Sequence, residues 1–497
     1  MKTINPDIIF TKGYNPKTVF ITEYRNLDGR LDPSFYEPLN ISLIEEIKKM
    51  PYKKLYELAS FSSESWNQKD IFEDEFPYIE ISEIDIPTGE ILNVSYIPKV
   101  EAPSRAKKIV RVGDILVSTT RPSRGAICLI NEKFDLHIAS TGFEIIRDIN
   151  VEHLDKEYLF NILRTRFCLM QMFYRSSGGN YPAITQEQLG KILIPVPSKV
   201  IQQKINSVFR SARNTYSNNK NKAKQIIQTI DNYLLKGLGI TLPEEDNSIE
   251  KRIFIKDFKT VNSIGRLDPK RYSLFVSNLE ESIINDNYPK QKLSDLIIHK
   301  ASGDWGVDEE LITDLKLFEQ CLVIRATEFD NDFNLNIDNS RLKYRYILKS
   351  KLKKLDIQPF DILIEKSGGS ENQPVGRVAI IEKQLVDDYT LCFSNFVYKI
   401  RVNSKIVLPY YLFYYLKMMH NIKYTDVMQS QTNGIRNLIM KEFFAQEIPL
   451  PPLEKQKEVI ATISKLYSDA NKNLTESEIL NSNLMIEIEK ILKGVNN

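Results

Sequence analysis

Arg30-Leu31-Asp32-Pro33-Ser34-Phe35-Tyr36 returns later in the chain as Arg266-Leu267-Asp268-Pro269-Lys270-Arg271-Tyr272. Each copy opens a half of similar length, and further matches follow in the same order. Lys54-Leu55-Tyr56-Glu57-Leu58 corresponds to Lys292-Leu293-Ser294-Asp295-Leu296, and the only tryptophans, Trp66 and Trp305, come next. Residues 78–85 correspond to 323–330, and Gly113-Asp114-Ile115-Leu116-Val117 to Phe360-Asp361-Ile362-Leu363-Ile364. Tyr158-Leu159-Phe160 reappears as Tyr411-Leu412-Phe413, and Ile194-Pro195-Val196-Pro197 as Ile448-Pro449-Leu450-Pro451. Any one match could arise by chance; a series kept in order could not easily. The repeating unit is about 240 residues, far longer than the units of a solenoid, so the pattern is a duplication. Between the fixed stretches the halves diverge freely. A doubled scaffold of this kind is suited to presenting two comparable but unlike surfaces to one extended partner.

Each half divides again. Residues 50–197 hold short runs rich in Val, Ile, Tyr and Phe, broken by Gly, Pro and Asn. Residues 109–118 read as a turn feeding a strand, 126–130 and 142–146 as strands, and 159–174 as helix. The mixture predicts an α/β (mixed α+β) domain, and residues 290–452 repeat it. Beyond Pro197 the period changes. Ile201, Ile205, Val208, Ala212, Tyr216, Ile226, Ile230 and Leu234 recur at steps compatible with one helical stripe. After Pro452 come Val459, Ile463, Leu466, Ala470, Leu480, Leu484, Ile488 and Ile491, in register with the first set: Val459 falls on Ile205 and Leu484 on Ile230. Helices of about 38 residues would reach about 55 Å. A single apolar stripe that long needs a partner helix, and the duplication supplies one.

The expected architecture is therefore two α/β domains in tandem, each followed by a long helix. The helices are expected to pack as an antiparallel, coiled-coil-like spacer with pseudo-two-fold symmetry. Ile205, Ala212, Ile226 and Ile230 would meet Val459, Leu466, Leu480 and Leu484. The alternative is that each helix lies flat on its own domain. The expected boundaries are 1–49 for an N-terminal extension and the start of the first half, 50–197 for its α/β domain and 198–240 for its helix. A linker and the start of the second half follow at 241–289, then the second α/β domain at 290–452 and the second helix at 453–497.

Composition narrows the function. The 497 residues carry 67 basic and 65 acidic groups, a formal charge of +2, so any polyanion site must be a local cluster of basic residues. Cys128, Cys168, Cys321 and Cys392 lie far apart with no Cys-x-x-Cys pair, which argues against a zinc site or a disulfide framework. Residues 1–20 lack a secretory apolar core, and no apolar run approaches membrane-spanning length, so a cytoplasmic protein without a membrane partner is expected. The Gly-rich phosphate loop and the Gly-x-Gly-x-x-Gly cradle are both absent. Asn180-Tyr181-Pro182-Ala183 does not fit the Asn/Asp-Pro-Pro-Tyr/Phe strip by which amino-methylating enzymes hold a flipped base. Asp361 and Glu365-Lys366 have the wrong spacing for a metal-dependent nuclease. No catalytic residue, metal ligand or cofactor bound by this chain is expected.

Polar, Gly-containing loops are the better candidates for function. In the first half these are the loop with Arg105 and Lys107, the loop with Arg121 and Arg124, and the loop with Arg175, Asn180 and Tyr181. In the second half the matching loops carry Lys366, Asn372, Gln373 and Arg377, and then Asn433 and Arg436. Arg and Lys pair with phosphates or guanine edges, and Asn or Gln with adenine. The same positions filled with different side chains are what two readers of two different sequences would show. The competing reading is that they are simply solvated polar loops.

At this point the chain resembles the specificity subunit of a type I restriction–modification system. The resemblance rests on Gly113-Asp114-Ile115-Leu116-Val117, on Ile194-Pro195-Val196-Pro197 leading into Gln202-Gln203-Lys204-Ile205, and on Ile448-Pro449-Leu450-Pro451-Pro452-Leu453 leading into Gln456-Lys457-Glu458-Val459. It implies that the α/β domains are target recognition domains for a bipartite, asymmetric site on double-stranded DNA, and that the subunit itself is non-catalytic. It also implies two modification subunits that methylate adenine with S-adenosylmethionine, docked on the helical spacer. A restriction subunit that uses ATP and Mg is present in restricting systems. A methylation-only or other phage-defence complex, and a protein-binding scaffold without specific DNA binding, are the alternatives. The second half departs from the first in having Phe360 where the first has Gly113.

Overall fold

A computed structural model describes residues 29–67, 72–179, 181–244, 248, 253–284, 288–312, 314–330, 333–337, 342–369, 374–432 and 435–494. Most of the expected N-terminal extension lies outside this set. The chain forms two compact units, residues 1–222 with 472–497, and residues 223–471.

In the first unit the strand Tyr52–Lys54 pairs antiparallel with Leu193–Pro195, Tyr52 opposite Pro195. The two ends of the 50–197 stretch therefore lie side by side. Between them runs a four-stranded sheet in the order Ala59–Phe61, Phe143–Ile149, Ile115–Ser118, Ile127–Leu129. Its Ile115–Ser118 strand is buried at every residue because both faces are covered. Ile115 and Val117 join the cluster under the helices, while Leu116 joins a separate core with Cys128, Phe143 and Ile145. That alternation is the period of two of an extended chain. A second four-stranded sheet, Ser95–Pro98, Glu75–Ile79, Ile138–Ser140 and Ala106–Ile109, packs Phe76 and Tyr78 with Trp66, whose Nε1 donates to the Ala106 carbonyl at 2.7 Å.

The second unit repeats the plan. Lys290–Lys292 pairs with Glu447–Pro449, and a four-stranded sheet runs Ile297–Ser302, Val397–Val402, Ile362–Glu365, Val378–Ile380. Ile362 and Ile364 face the helical core and Leu363 faces the other, matching the first unit residue for residue. The stretch expected as one helix at 159–174 is two in the first unit, Lys156–Leu163 and Arg166–Arg175. The break falls at Arg164, which buries its guanidinium against the Ile86 carbonyl, and at Thr165, whose hydroxyl donates back to the Ile162 carbonyl at 2.7 Å. The second unit breaks later at the matching place, with a helix at Pro409–Asn421 followed, after Lys423 at φ +63°, by a short 3-10 helix at Tyr424–Met428.

The recurring sequence signals have physical roles. Arg30 donates to the Arg175 carbonyl and Gln188 Oε1, each at 3.0 Å, and pairs with Asp32. Arg266 does the same work with the Val427 and Gln429 carbonyls, Glu442 and Asp268. Tyr36 and Tyr272 each return a hydroxyl to the carbonyl of their own arginine. The opening motif is thus a staple that ties the start of each half to the loop near its end. In the first unit Phe35 takes the cationic faces of Arg30 and Arg175; in the second, Arg271 stands there and the neutral Gln188 becomes Glu442, so charge is balanced by exchange of the partner.

The proline-rich strand ends lead into a buried glutamine. Gln202 accepts from the Asp155 amide at 2.8 Å and donates to the His153 and Pro197 carbonyls. Gln456 accepts from the Leu408 amide at 2.8 Å and donates to the Ile406 and Pro451 carbonyls. Both glutamines are fully buried, and an unpaired amide there would be costly, so the three bonds fix where each long helix begins.

The long helices are Lys199–Leu238 and Leu453–Leu492. In the first unit Ile205, Phe209 and Ala212 share a core with Leu484 and Ile488. In the second, Ile230, Leu234, Leu235 and Leu238 share one with Val459 and Ile463. The early part of each helix thus meets the late part of the other, the antiparallel pairing expected from the stripes. Ile226, Leu466 and Leu480 sit half-buried at the edges of the stripe. The units divide within the helices, at 222/223 and 471/472, whereas the sequence boundaries set each helix apart from its domain. The same helical cores also include domain residues, Tyr158 and Leu159 in the first unit and Tyr411 and Leu412 in the second, so each helix packs on its domain as well as on a helix.

All four cysteines are buried and unpaired. Burial pushes the thiols of Cys128 and Cys321 up to about 12, that of Cys392 to about 11, and that of Cys168 higher still. His420, in the last turn of Pro409–Asn421, packs edge-on to Phe333 at 5.1 Å. Burial pulls its imidazole down to about 4, and the nearby Arg377 cation adds to the effect. Below about pH 6.5 the unfolded chain binds a proton that the folded one refuses. Stability is therefore full above that pH and falls as pH drops toward 4, by about 3 kcal/mol for this group. Thermal melts between pH 7 and 4.5 should show a shallower acid loss for His420→Leu than for the parent; identical slopes would count against this assignment.

Candidate nucleic-acid interface

In the first unit the candidate loops are joined by backbone hydrogen bonds. The Arg105 carbonyl accepts from Thr141 at 2.8 Å, and the next residue, Gly142, accepts from Thr119 at 2.7 Å. The Thr119 carbonyl accepts from Ile184 at 2.9 Å, and Arg121 donates to the Pro182 carbonyl at 2.8 Å. Loops widely separated in sequence thus form one continuous lip. On it Arg105, Lys107 and Arg124 are exposed, Arg121 is half-buried, and Tyr181 is 71% exposed. Arg121 lies over the Tyr181 ring at 4.5 Å from its centroid.

The second unit builds its lip from a small sheet, Ser367–Gly369, Ile435–Leu438 and Gln429–Thr432. Lys366 donates to the Phe396 carbonyl and accepts from Leu438, both at 2.8 Å, and Gly369 stands opposite Arg436. These bonds repeat those of Thr119 to Gly142 and Ile184, so the two lips share one construction. Their side chains differ: Lys366 and Arg436 here, Arg121, Arg124 and Tyr181 there. Sequence reading missed Phe396, an exposed aromatic at the foot of this lip. Its match to Gly142 in the duplicated register was the signal that could have found it.

Two expected contact residues have other work. Arg377 is 6% exposed; its guanidinium forms a two-point pair with Glu365, both bonds 2.9 Å, and donates to the Phe329 and Ala326 carbonyls. Arg175, also 6% exposed, donates to Gln188 and lies over Phe35. Both are corrected from expected base or phosphate contacts to supports beneath the lips, because their side chains are buried and engaged inside the fold. Asn180, Asn372, Gln373 and Asn433 lie outside the described residues.

Beneath each lip the Gly-Asp-Ile-Leu element is an aspartate turn. Asp114 accepts from the Arg111 amide at 2.7 Å and pairs with Arg147 on the neighbouring strand. Asp361 accepts from the Gln358 amide at 2.9 Å and pairs with Arg401 and the fully buried Lys399. Gly113 has φ +84° and Phe360 φ +69°, so the sequence departure keeps the left-handed turn. Asp361 and Glu365 are each held in ion pairs with basic side chains, an arrangement for support of the strand. Among the described residues no group of three or more His, Cys, Asp or Glu side chains could hold a metal ion, and no helix is long and apolar enough to cross a membrane.

The model of the type I restriction modification DNA specificity domain matches residues 48–228 and 322–481, well over half of the chain. The chain belongs to that family of DNA specificity domains. A curated relative, the type I restriction enzyme HindI specificity subunit of Haemophilus influenzae, is 32% identical over 127 residues, 24% of this chain and 28% of that protein. The match thus reaches less than a third of the relative's length. Among solved structures, a chain from work on complex assembly and conformational transition of the type I R-M system is 20% identical, with a TM-score of 0.47, covering 90% of this chain and 98% of that one. The HsdS subunit from Thermoanaerobacter tengcongensis is 20% identical with a TM-score of 0.33, covering 90% and 96%. The type I S subunit from M. genitalium is 13% identical with a TM-score of 0.38, again covering 90% and 96%.

Proposed function

We propose that this chain is the non-catalytic DNA-reading subunit of a cytoplasmic type I restriction–modification complex. Each lip reads one part of an asymmetric, bipartite site on double-stranded DNA, and the helical segments fix an unread gap between the parts. Two modification subunits supply S-adenosylmethionine-dependent adenine methylation. Restriction, where a further subunit provides it, draws on ATP and Mg held by that subunit. The observation that carries the reading is the pair of lips: one backbone construction, used twice, with unlike exposed side chains. Two readers of unlike sequences need unlike side chains on a shared construction.

The test is to produce the full chain with the modification subunits encoded beside it and to map methylated adenines in the host genome. A single motif of two short parts around a fixed gap is expected, and none when the chain is left out. Methylation that ignores the chain would overturn the reading. Assembly with the other subunits without any selectivity for DNA sequence would favour a protein scaffold.

A further inference from the structure

We infer that Arg121 reads a guanine in the part of the site met by the first unit, and that Tyr181 is a positioning residue that holds the guanidinium for that task. The inference rests on the DNA-reading function proposed above and goes further, to one side chain and one base.

The first observation is conformational. Arg121 has φ +49° and ψ +50°, in the left-handed region that side chains other than glycine disfavour. Its counterpart in the second unit can be found from the hydrogen bonds. Ser118 donates to the Ala126 carbonyl as Glu365 does to that of Arg377, and Thr119 donates to Gly142 as Lys366 does to Phe396. Counting on from these pairs, Arg121 falls on Gly368, which has φ +111°. The turn asks for a positive φ in both units. One unit meets the demand with glycine; the other keeps an arginine there despite the strain. Retained strain on an exposed loop points to a use for the side chain.

The second observation is pre-organisation. The Arg121 amide donates to the Pro182 carbonyl at 2.8 Å, its carbonyl accepts from Arg124 at 3.0 Å, and the next residue, Pro122, is buried. The guanidinium lies 4.5 Å from the centroid of the Tyr181 ring, which is itself 71% exposed. A ring so exposed is not filling a core. Stacking engages the flat face of a guanidinium, while its N–H donors lie in the plane of the group. A guanidinium is a planar fork of N–H donors, and that fork matches O6 and N7 of guanine in the major groove. The second unit, with Gly368 at the matching place, has no such pair, so the assignment belongs to one part of the site only.

The competing use of Arg121 is a phosphate contact, which would weaken binding to all sequences alike. The experiment separates the two. The full chain is produced with its modification subunits as wild type and as Arg121→Gly, Arg121→Lys, Tyr181→Phe and Tyr181→Leu. Methylated motifs are mapped, and methylation rates are measured on duplexes changed one base pair at a time. The wild-type motif should contain a G·C pair in its first part. Arg121→Gly and Arg121→Lys should lose discrimination at that pair by roughly tenfold to a hundredfold, with the second part of the motif intact. Tyr181→Phe should retain discrimination, and Tyr181→Leu should relax the same pair. The melting temperature of Arg121→Gly should not fall, since glycine suits the turn; a purely structural arginine would instead cost stability without changing base preference. Lys in place of Arg with full discrimination, uniform weakening across all sequences, or a first part without guanine would overturn the inference. A wild-type complex that yields no motif would overturn the DNA-reading function itself.

Discussion

Asp361→Ala is expected to destabilise the second unit by about 3–5 kcal/mol, a large share of the roughly 5–15 kcal/mol by which folded domains are typically stable. The reason lies in what it leaves behind. Lys399 has no exposed surface, and its ammonium meets Asp361 at 2.9 Å and the Asp356 carbonyl at 2.9 Å. Burial already pulls the Lys399 ammonium below its usual pKa, and the Asp361 carboxylate opposes that pull. Without the carboxylate, a buried cation stands almost alone and Arg401 loses two bonds. The first unit provides an internal control. Ile145 occupies the place of Lys399 there, and among the described residues the ion-pair partner of Asp114 is Arg147, whose side chain is 24% exposed. Asp114→Ala should therefore cost clearly less. Lys399→Ile should also be mild, since the duplicate shows that the site accepts an apolar branch. Chemical denaturation of the three variants checks the order; equal losses for Asp114→Ala and Asp361→Ala would refute the buried-cation explanation.

Replacing residues 50–197 with the corresponding stretch of another reader should change one part of the DNA motif completely and leave the other part as it was. The pairing of Tyr52–Lys54 with Leu193–Pro195 puts both junctions on one two-stranded ribbon, and a graft that keeps the helix-facing residues such as Tyr158 and Leu159 preserves the packing on the long helix. Each mismatched base pair costs about 1–3 kcal/mol, so modification of the original motif should fall by roughly a thousandfold. Methylation mapping of the hybrid complex provides the readout. A motif altered in both parts would mean that the two readers are not separable.

The duplication, the strand periods and the helical stripes were legible in sequence because they depend on spacing alone. Ile115, Leu116 and Val117 alternate between two cores as a strand requires, and Ile362, Leu363 and Ile364 follow them. Side-chain employment was not legible. Arg124 and Arg377 both sit in Gly-flanked polar loops, yet one is exposed and the other is locked to Glu365. Nothing local distinguishes them, because the partner is 12 residues away and the carbonyls come from another loop. The same holds for Arg175, whose place is set by Gln188 and Phe35. The opening Arg-Leu-Asp-Pro repeat was visible as a signal, but its role as a staple required knowing which distant carbonyls its arginine meets. Phe396 escaped notice because its significance comes from register with Gly142 and not from its neighbours in sequence.

The buried cysteines have a practical side. A thiol attacks an alkylating reagent as its thiolate, and deep burial keeps Cys128, Cys168, Cys321 and Cys392 protonated and shielded at neutral pH. The molecule therefore offers a chemically quiet background. One cysteine introduced on a solvent-facing edge would be the preferred target for a maleimide dye or a photocrosslinker, with no native residue removed first. Fluorescence labelling of either half separately becomes a single-substitution experiment.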